Sequence, residues 1–167
     1  MNWWLLVMIT MAIFRHEIGG RSIRSYRVTL EKITLSKSEG SENHENLFGT
    51  VWAGAFCNSN ENQVGASFDS RERTLKLFDR TSENYIRLHE NRELLLNHSL
   101  VFDIPPCGGN QANLTLTASL NNQNLGRKYT TEQQRVYLSE IRGPTRRTIH
   151  CYERDGHVQL SFLITQL

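Results

Sequence analysis

The chain has 167 residues, 38% of them hydrophobic and 22% charged, a composition that excludes a disordered protein and points to one core. Its 19 basic and 17 acidic side chains leave a formal charge of +2, so there is no field of the kind that draws nucleic acid, which is not expected as a partner. Three cysteines, Cys57, Cys107 and Cys151, are too few for a disulfide scaffold; they read first as buried thiols, with Cys107–Cys151 the possible disulfide to test.

Trp3 to Phe14 is an almost unbroken apolar run, of the length of a signal-peptide core and too short to span a bilayer. No Lys or Arg precedes it and no A-x-A site follows. Residues 1–20 are therefore an apolar leader, open to three readings: a secretory signal, a mispredicted start, or a buried first strand. Residues 21–167 form a single domain. The expected compartment is extracellular, the alternative cytoplasmic.

Ser25 to Ser36 alternates through Tyr26, Val28 and Leu30, then changes phase at Ile33 and Leu35, as one extra residue near Glu31-Lys32 would cause. Lys37 to Asn46 reads as a polar loop, Leu47 to Phe56 as the next strand, and Asn58 to Gly65 as loop again. Trp52 and Phe56 are expected to fill the core, and Gly49 to permit a close approach between strands. Thr74 to Asp79 is a short strand; Asn84 to Leu88 is extended or a turn of helix. Glu93 to Ile104 alternates until Pro105-Pro106 removes the ladder donors, and Ala112 to Leu120 follows as its expected hairpin partner. After a polar connection, Gln134 to Ile141 turns at Gly143-Pro144. Arg146 to Tyr152 and His157 to Gln166 then pair through the hairpin turn Glu153-Arg154-Asp155-Gly156.

About eight strands at this spacing, with no long 3.6-residue stripe, predict an all-β fold: an antiparallel β-sandwich, C2-like or jelly-roll-like, which an orthogonal barrel would resemble in sequence. Two sequons, at Asn97 and Asn113, both lie opposite the apolar series of their strands, so both are expected to be exposed glycosylation candidates.

No catalytic set emerges. There is no G-x-S-x-G, and His150 beside Cys151 on a strand points to the opposite face. Neither H-x-x-x-H nor C-x-x-C occurs, so no metal residues and no cofactor are assigned. Glu39, Glu42 and Glu45 could suggest calcium, but the four aspartates are isolated and a solvated acidic loop is the better reading. Arg142, Arg146 and Arg147 form a possible anion-binding edge, weighed against the ordinary role of charge on an outer strand.

One series of short motifs resembles a known domain. Leu47-Phe48-Gly49-Thr50-Val51-Trp52 is followed by Leu77-Phe78-Asp79-Arg80 and Glu83-Asn84-Tyr85-Ile86, then Leu94–Leu96 and Leu100-Val101-Phe102-Asp103-Ile104. Together they are similar to the uncharacterised β-sandwich domain of plants that sometimes stands beside ribosome-inactivating domains. The resemblance covers a third of the chain and implies a C2-like sandwich with no active site to carry over. The chain departs from it at Leu96-Asn97-His98-Ser99, where that domain has a turn of small residues.

The expected function is a non-enzymatic binding or interaction domain that presents its loops or a sheet face to a protein, glycan or lipid surface. The alternatives are a structural or assembly-forming sandwich and a hydrolase built on Asp103 or Glu140.

Overall fold

A computed structural model describes residues 23–38, 43–57, 74–104, 112–131 and 133–167. In chain order the strands are β1 (Arg24–Lys37), β2 (His44–Cys57), β3 (Thr74–Arg80), β4 (Ile86–His89), β5 (Arg92–Ile104), β6 (Ala112–Asn122), β7 (Arg127–Lys128), β8 (Thr130–Thr131), β9 (Gln134–Tyr137), β10 (Thr145–Glu153) and β11 (Gly156–Gln166). Single 3₁₀ turns cover Ser82–Asn84 and Leu138–Glu140. The fold is an all-β sandwich of two antiparallel sheets, as the alternation predicts.

One sheet runs β5-β1-β11-β10-β8; the other runs β3-β2-β6-β7, with β4 also on β2 and β9 on β6. Alternate residues of the long strands meet between the layers. Val28, Leu30, Ile33 and Leu35 of β1 are fully buried, as are Val158, Leu160, Phe162 and Ile164 of β11. From the other sheet come Leu47, Val51 and Ala53 of β2 and Leu114, Leu116 and Leu120 of β6. This layer of apolar side chains is the main force holding the sheets together, at about 25 cal/mol per Å² of apolar surface withdrawn from water.

The phase change in β1 is a bulge. Its register with β11 slips between Leu30 and Lys32, leaving Glu31 as the extra residue that returns Ile33 to the inner face. The same level is irregular on β5, where Leu30 pairs with His98 and Lys32 with Leu95. Leu96 and Asn97 therefore stand opposite Glu31, and Asn97 takes φ 54°, a left-handed conformation that Asn tolerates better than most residues.

Two expectations are corrected. Ala112–Leu120 is not the hairpin partner of Glu93–Ile104: β5 pairs with β1, and β6 pairs with β2 in the other sheet. Nor do Trp52 and Phe56 enter the core. The β2–β6 register runs without a slip from Leu47 to Cys57, so Phe48, Trp52 and Phe56 share the outer face while Val51, Ala53 and Ala55 point inward. Beside Trp52 and Phe56 the inner face of β2 carries the small Ala53 and Ala55, whose β6 partners Leu116 and Leu114 are bulky and fully buried.

Gly49 does bring strands close. It holds φ 128°, and a Cβ there would lie 2.0 Å from the carbonyl oxygen of Ser119 on β6. No residue but glycine fits.

One end of the core is polar. β2 starts three residues earlier than the periodicity suggests, so Glu45 is not in a solvated loop: it is in phase with Leu47 and 1% exposed. The hydroxyl of buried Tyr129 donates to its carboxylate. Beside it Asn46 Nδ2 donates to Asn124 Oδ1 (2.8 Å), and Arg87 Nε donates to Asn46 Oδ1 (3.2 Å). These bonds fasten the 123–126 turn to β2 and β4 and satisfy groups that would be costly to bury alone.

Candidate binding face of the six-stranded sheet

The outer face of the six-stranded sheet follows from register. Trp52 lies opposite Thr117 on β6 and Lys76 on β3; Phe56 lies opposite Asn113, which on its other side faces Tyr137 of β9; Phe48 lies opposite Asn121. Three aromatic side chains at every fourth position of one strand form a row, because four residues of strand advance about 13 Å on one face. Tyr137 widens the row at one end and is 43% exposed. Phe48, Trp52 and Phe56 are each half-buried, lying along the sheet.

Polar groups fill the spaces between the rings. Thr50 Oγ1 donates to Asp79 Oδ1 (3.0 Å), and Lys76 Nζ donates to Asp79 Oδ2 (2.7 Å). That ammonium and hydroxyl hold the Asp79 carboxyl below its ordinary range. Thr115 Oγ1 donates to Asn113 Oδ1 (3.3 Å). Asp79 is thus paired locally, while exposed Arg135, opposite Thr115, and Lys128, opposite Asn121, add positive charge to the same face.

Asn113 is 5% exposed, against the expectation from alternation. It does point away from the core, but it stands on a central strand between the larger Phe56 and Tyr137, which take its solvent access. A buried amide is a poor acceptor for a bulky glycan. Asn97, in contrast, is exposed at its bulge.

The three arginines do not form one anion-binding edge. Arg146 and Arg147 are strand neighbours and face opposite ways: Arg146 Nε donates to Glu31 Oε2 (3.3 Å), and Arg147 donates to Glu140 Oε2 (3.2 Å). Arg142 is exposed in the connection before β10. The candidate catalytic carboxylates are separately engaged, Glu140 with Arg147 and Asp103 with the Ser25 hydroxyl at 2.6 Å. Cys151 carries a free thiol, fully buried, and burial pushes its pKa up to about 11. Cys107, Glu39, Glu42 and residues 1–20 lie outside the described residues.

On the outer face of the five-stranded sheet the structure brings together a group that single-residue reasoning misses. The β10–β11 hairpin closes at Glu153 and Gly156, which sets His157 opposite Tyr152 and leaves His150 two residues along on the same face. Tyr152 and His157 stack at 4.6 Å between centroids, 9° from parallel, and His150 Nδ1 lies 2.9 Å from His157 Nε2. Burial and the nearby His150 charge lower the pKa of His157. Counting outward from the turn Glu153–Gly156 is enough to find this pair in the sequence.

No family model matches the chain, and no curated protein matches it in sequence. Among solved structures it is similar to a C2 domain of plant extended synaptotagmin 1, at 11% identity and TM-score 0.45, over 88% of this chain and 98% of that one. It is also similar to part of human GIVD cytosolic phospholipase A2, at 12% identity and TM-score 0.42, over 88% of this chain and 18% of that one. A C2 domain protein from Ramazzottius varieornatus is similar at 10% identity and TM-score 0.37, over 88% of this chain and 91% of that one. Neither a family nor a ligand follows from likeness at this level.

Proposed function

We propose that the chain is a non-enzymatic binding domain whose recognition surface is the outer face of the six-stranded sheet, and that its ligand is a glycan chain. The observation that carries this reading is the aromatic row Phe48–Trp52–Phe56, extended by Tyr137 and turned away from the core. Rings laid on a sheet offer flat apolar platforms at low entropic cost, since each has only two side-chain torsions to fix. The C–H faces of a sugar ring suit such platforms. Thr50, Thr117 and Asn121, beside the rings, supply the hydroxyl and amide partners that sugar hydroxyls need.

The same reading takes the domain, residues 21–167, as secreted behind its leader and as a distant relative of the plant β-sandwich domain. The exposed acceptor at Asn97 supports secretion. Mass spectrometry of the secreted protein is expected to find cleavage after the leader and a glycan at Asn97 but not at Asn113.

Binding is tested with immobilised neutral polysaccharides (cellulose, mannan, xylan and galactan), using the purified domain and its Trp52→Ala and Tyr137→Ala variants. Retention on at least one polysaccharide, reduced tenfold or more by Trp52→Ala and less by Tyr137→Ala, is the expected result. No retention on any of them, or retention that ignores both substitutions, overturns the proposal. Concentration-dependent assembly in light scattering, abolished by Trp52→Ala, would instead assign the row to self-association.

A further inference from the structure

The six-stranded sheet carries charge mostly of one sign. On its strands β2, β3, β4, β6, β7 and β9 the carboxylates are Glu45, which is buried, and Asp79, which is paired with Lys76. Against them stand Lys76, Arg80, Arg87, Arg127, Lys128 and Arg135. The whole chain is near balance, with 19 basic and 17 acidic side chains, so the excess is local to this sheet. Arg87, Lys128 and Arg135 are exposed, and among the described residues none of the three pairs with a carboxylate.

Register places these three cations beside the rings. Arg135 lies opposite Thr115, and Thr115 lies opposite Gly54, on β2 between Trp52 and Phe56. The Phe56 ring uses the space that Gly54 leaves: a Cβ there would lie 2.9 Å from Phe56 Cε2. The ring thus lies back toward the level of Arg135. Lys128 lies opposite Asn121, which lies opposite Phe48. Arg87 lies opposite Asn46, and its Nε donates to Asn46 Oδ1 (3.2 Å). That bond holds the guanidinium in place, so less freedom is lost when it binds an anion.

We infer that this face takes a polysaccharide of neutral backbone with spaced uronate groups, its rings seating the sugars and Arg135, Lys128 and Arg87 binding the carboxylates. The inference rests on the glycan reading of the aromatic row and adds the acidic groups to it. Spacing supports it. The levels of Arg135 and Lys128 are six residues apart on β6, about 20 Å, with Trp52 between them. A nucleic-acid strand carries a phosphate about every 3.4 Å in duplex form, and most of that charge would go unmatched here. An anionic membrane fits no better, because half-buried rings lying along a sheet have no tip to sink among acyl chains. A carboxylate also suits the arginine fork, which binds both of its oxygens at once.

Retention of the full chain is measured on glucuronoxylan and on the same polymer after its carboxyls are reduced to alcohols. The acidic form is expected to bind about tenfold more tightly, and the preference to vanish near 1 M salt, where charge is screened beyond about 3 Å. Arg135→Gln and Lys128→Gln are each expected to cut the preference about threefold, and together to abolish it. Trp52→Ala weakens retention on both polymers alike. Arg27→Gln removes the same charge from the outer face of the other sheet and leaves the preference unchanged. Circular dichroism verifies that each variant keeps its strand signal. Equal retention on the two polymers, both weakened by Trp52→Ala, overturns the inference and leaves the glycan reading standing. Retention on neither also overturns it, and the neutral polysaccharides then decide the glycan reading by themselves. A preference that survives the double variant, or that Arg27→Gln removes, overturns it as well. So does release by polyuridylate or phosphatidylserine vesicles at a lower charge concentration than by glucuronoxylan oligosaccharides.

Discussion

The two sheets share one inner surface and have very different outer ones. On the six-stranded sheet only the centre of the outer face is partly withdrawn from water: Asn113 and Thr115 are almost fully buried and Phe48, Trp52 and Phe56 lie half-covered along β2, while Tyr137 on β9 is 43% exposed. On the five-stranded sheet the outer face is wet. Leu95, Val101 and Tyr152 are 68%, 48% and 48% exposed, and the charges are held in surface pairs such as Lys32–Glu93 and Arg146–Glu31. Both faces obey the same two-residue alternation. The inward residues are bound by the demand to fill one shared volume, and the outward ones are free of it, so chemistry specific to this chain collects on the outside.

The scale for testing that contrast comes from the interior. Phe162→Ala, at a fully buried site of β11, is expected to cost about 3–5 kcal/mol in urea unfolding, the largest effect. Trp52→Ala should fall between interior and surface, at about 1–2 kcal/mol, while Tyr152→Ala on the wet face should stay within about 0.5 kcal/mol. Equal costs for the last two would erase the distinction between the faces. The smallest effect is one of pH. His157 binds its proton less readily in the fold than at its ordinary value of 6.5, so as pH falls below that value the unfolded chain takes up more protons and the fold loses stability. Above that range the loss is absent. Urea midpoints measured between about pH 5 and 7 should therefore decline toward acid in the parent and decline less in His157→Gln.

Much of the architecture can be read from the residues, because the strands alternate cleanly. The Glu31 bulge is legible since it swaps the faces of one apolar series, from Val28 and Leu30 to Ile33 and Leu35. The partner of Glu93–Ile104 is not legible, because alternation states which side of a strand is apolar and nothing about which sheet it joins. Trp52 and Phe56 mislead for a related reason. Size suggests that they go inside, but on β2 the small residues face the core and Leu114 and Leu116 fill the space. Glu45 defeats expectation because a carboxylate enters a core end only where a partner such as the Tyr129 hydroxyl awaits it, and Tyr129 is far along the chain. The candidate sites were less legible than the fold. Register, not residue type, makes a row of Phe48, Trp52 and Phe56 and a pair of His150 and His157.

The matched irregularities of β1 and β5 bear on how the protein behaves when crowded. β5 forms the border of its sheet, and at Asn97 its backbone leaves the extended conformation. A strand from a neighbouring molecule can zip along β5 on one side of that kink or the other, never continuously past it. Fibre growth by templated stacking needs long, flat, uninterrupted runs, so this flank of the molecule is a poor seed for it, through the irregularity at Asn97 that answers the core-realigning bulge at Glu31.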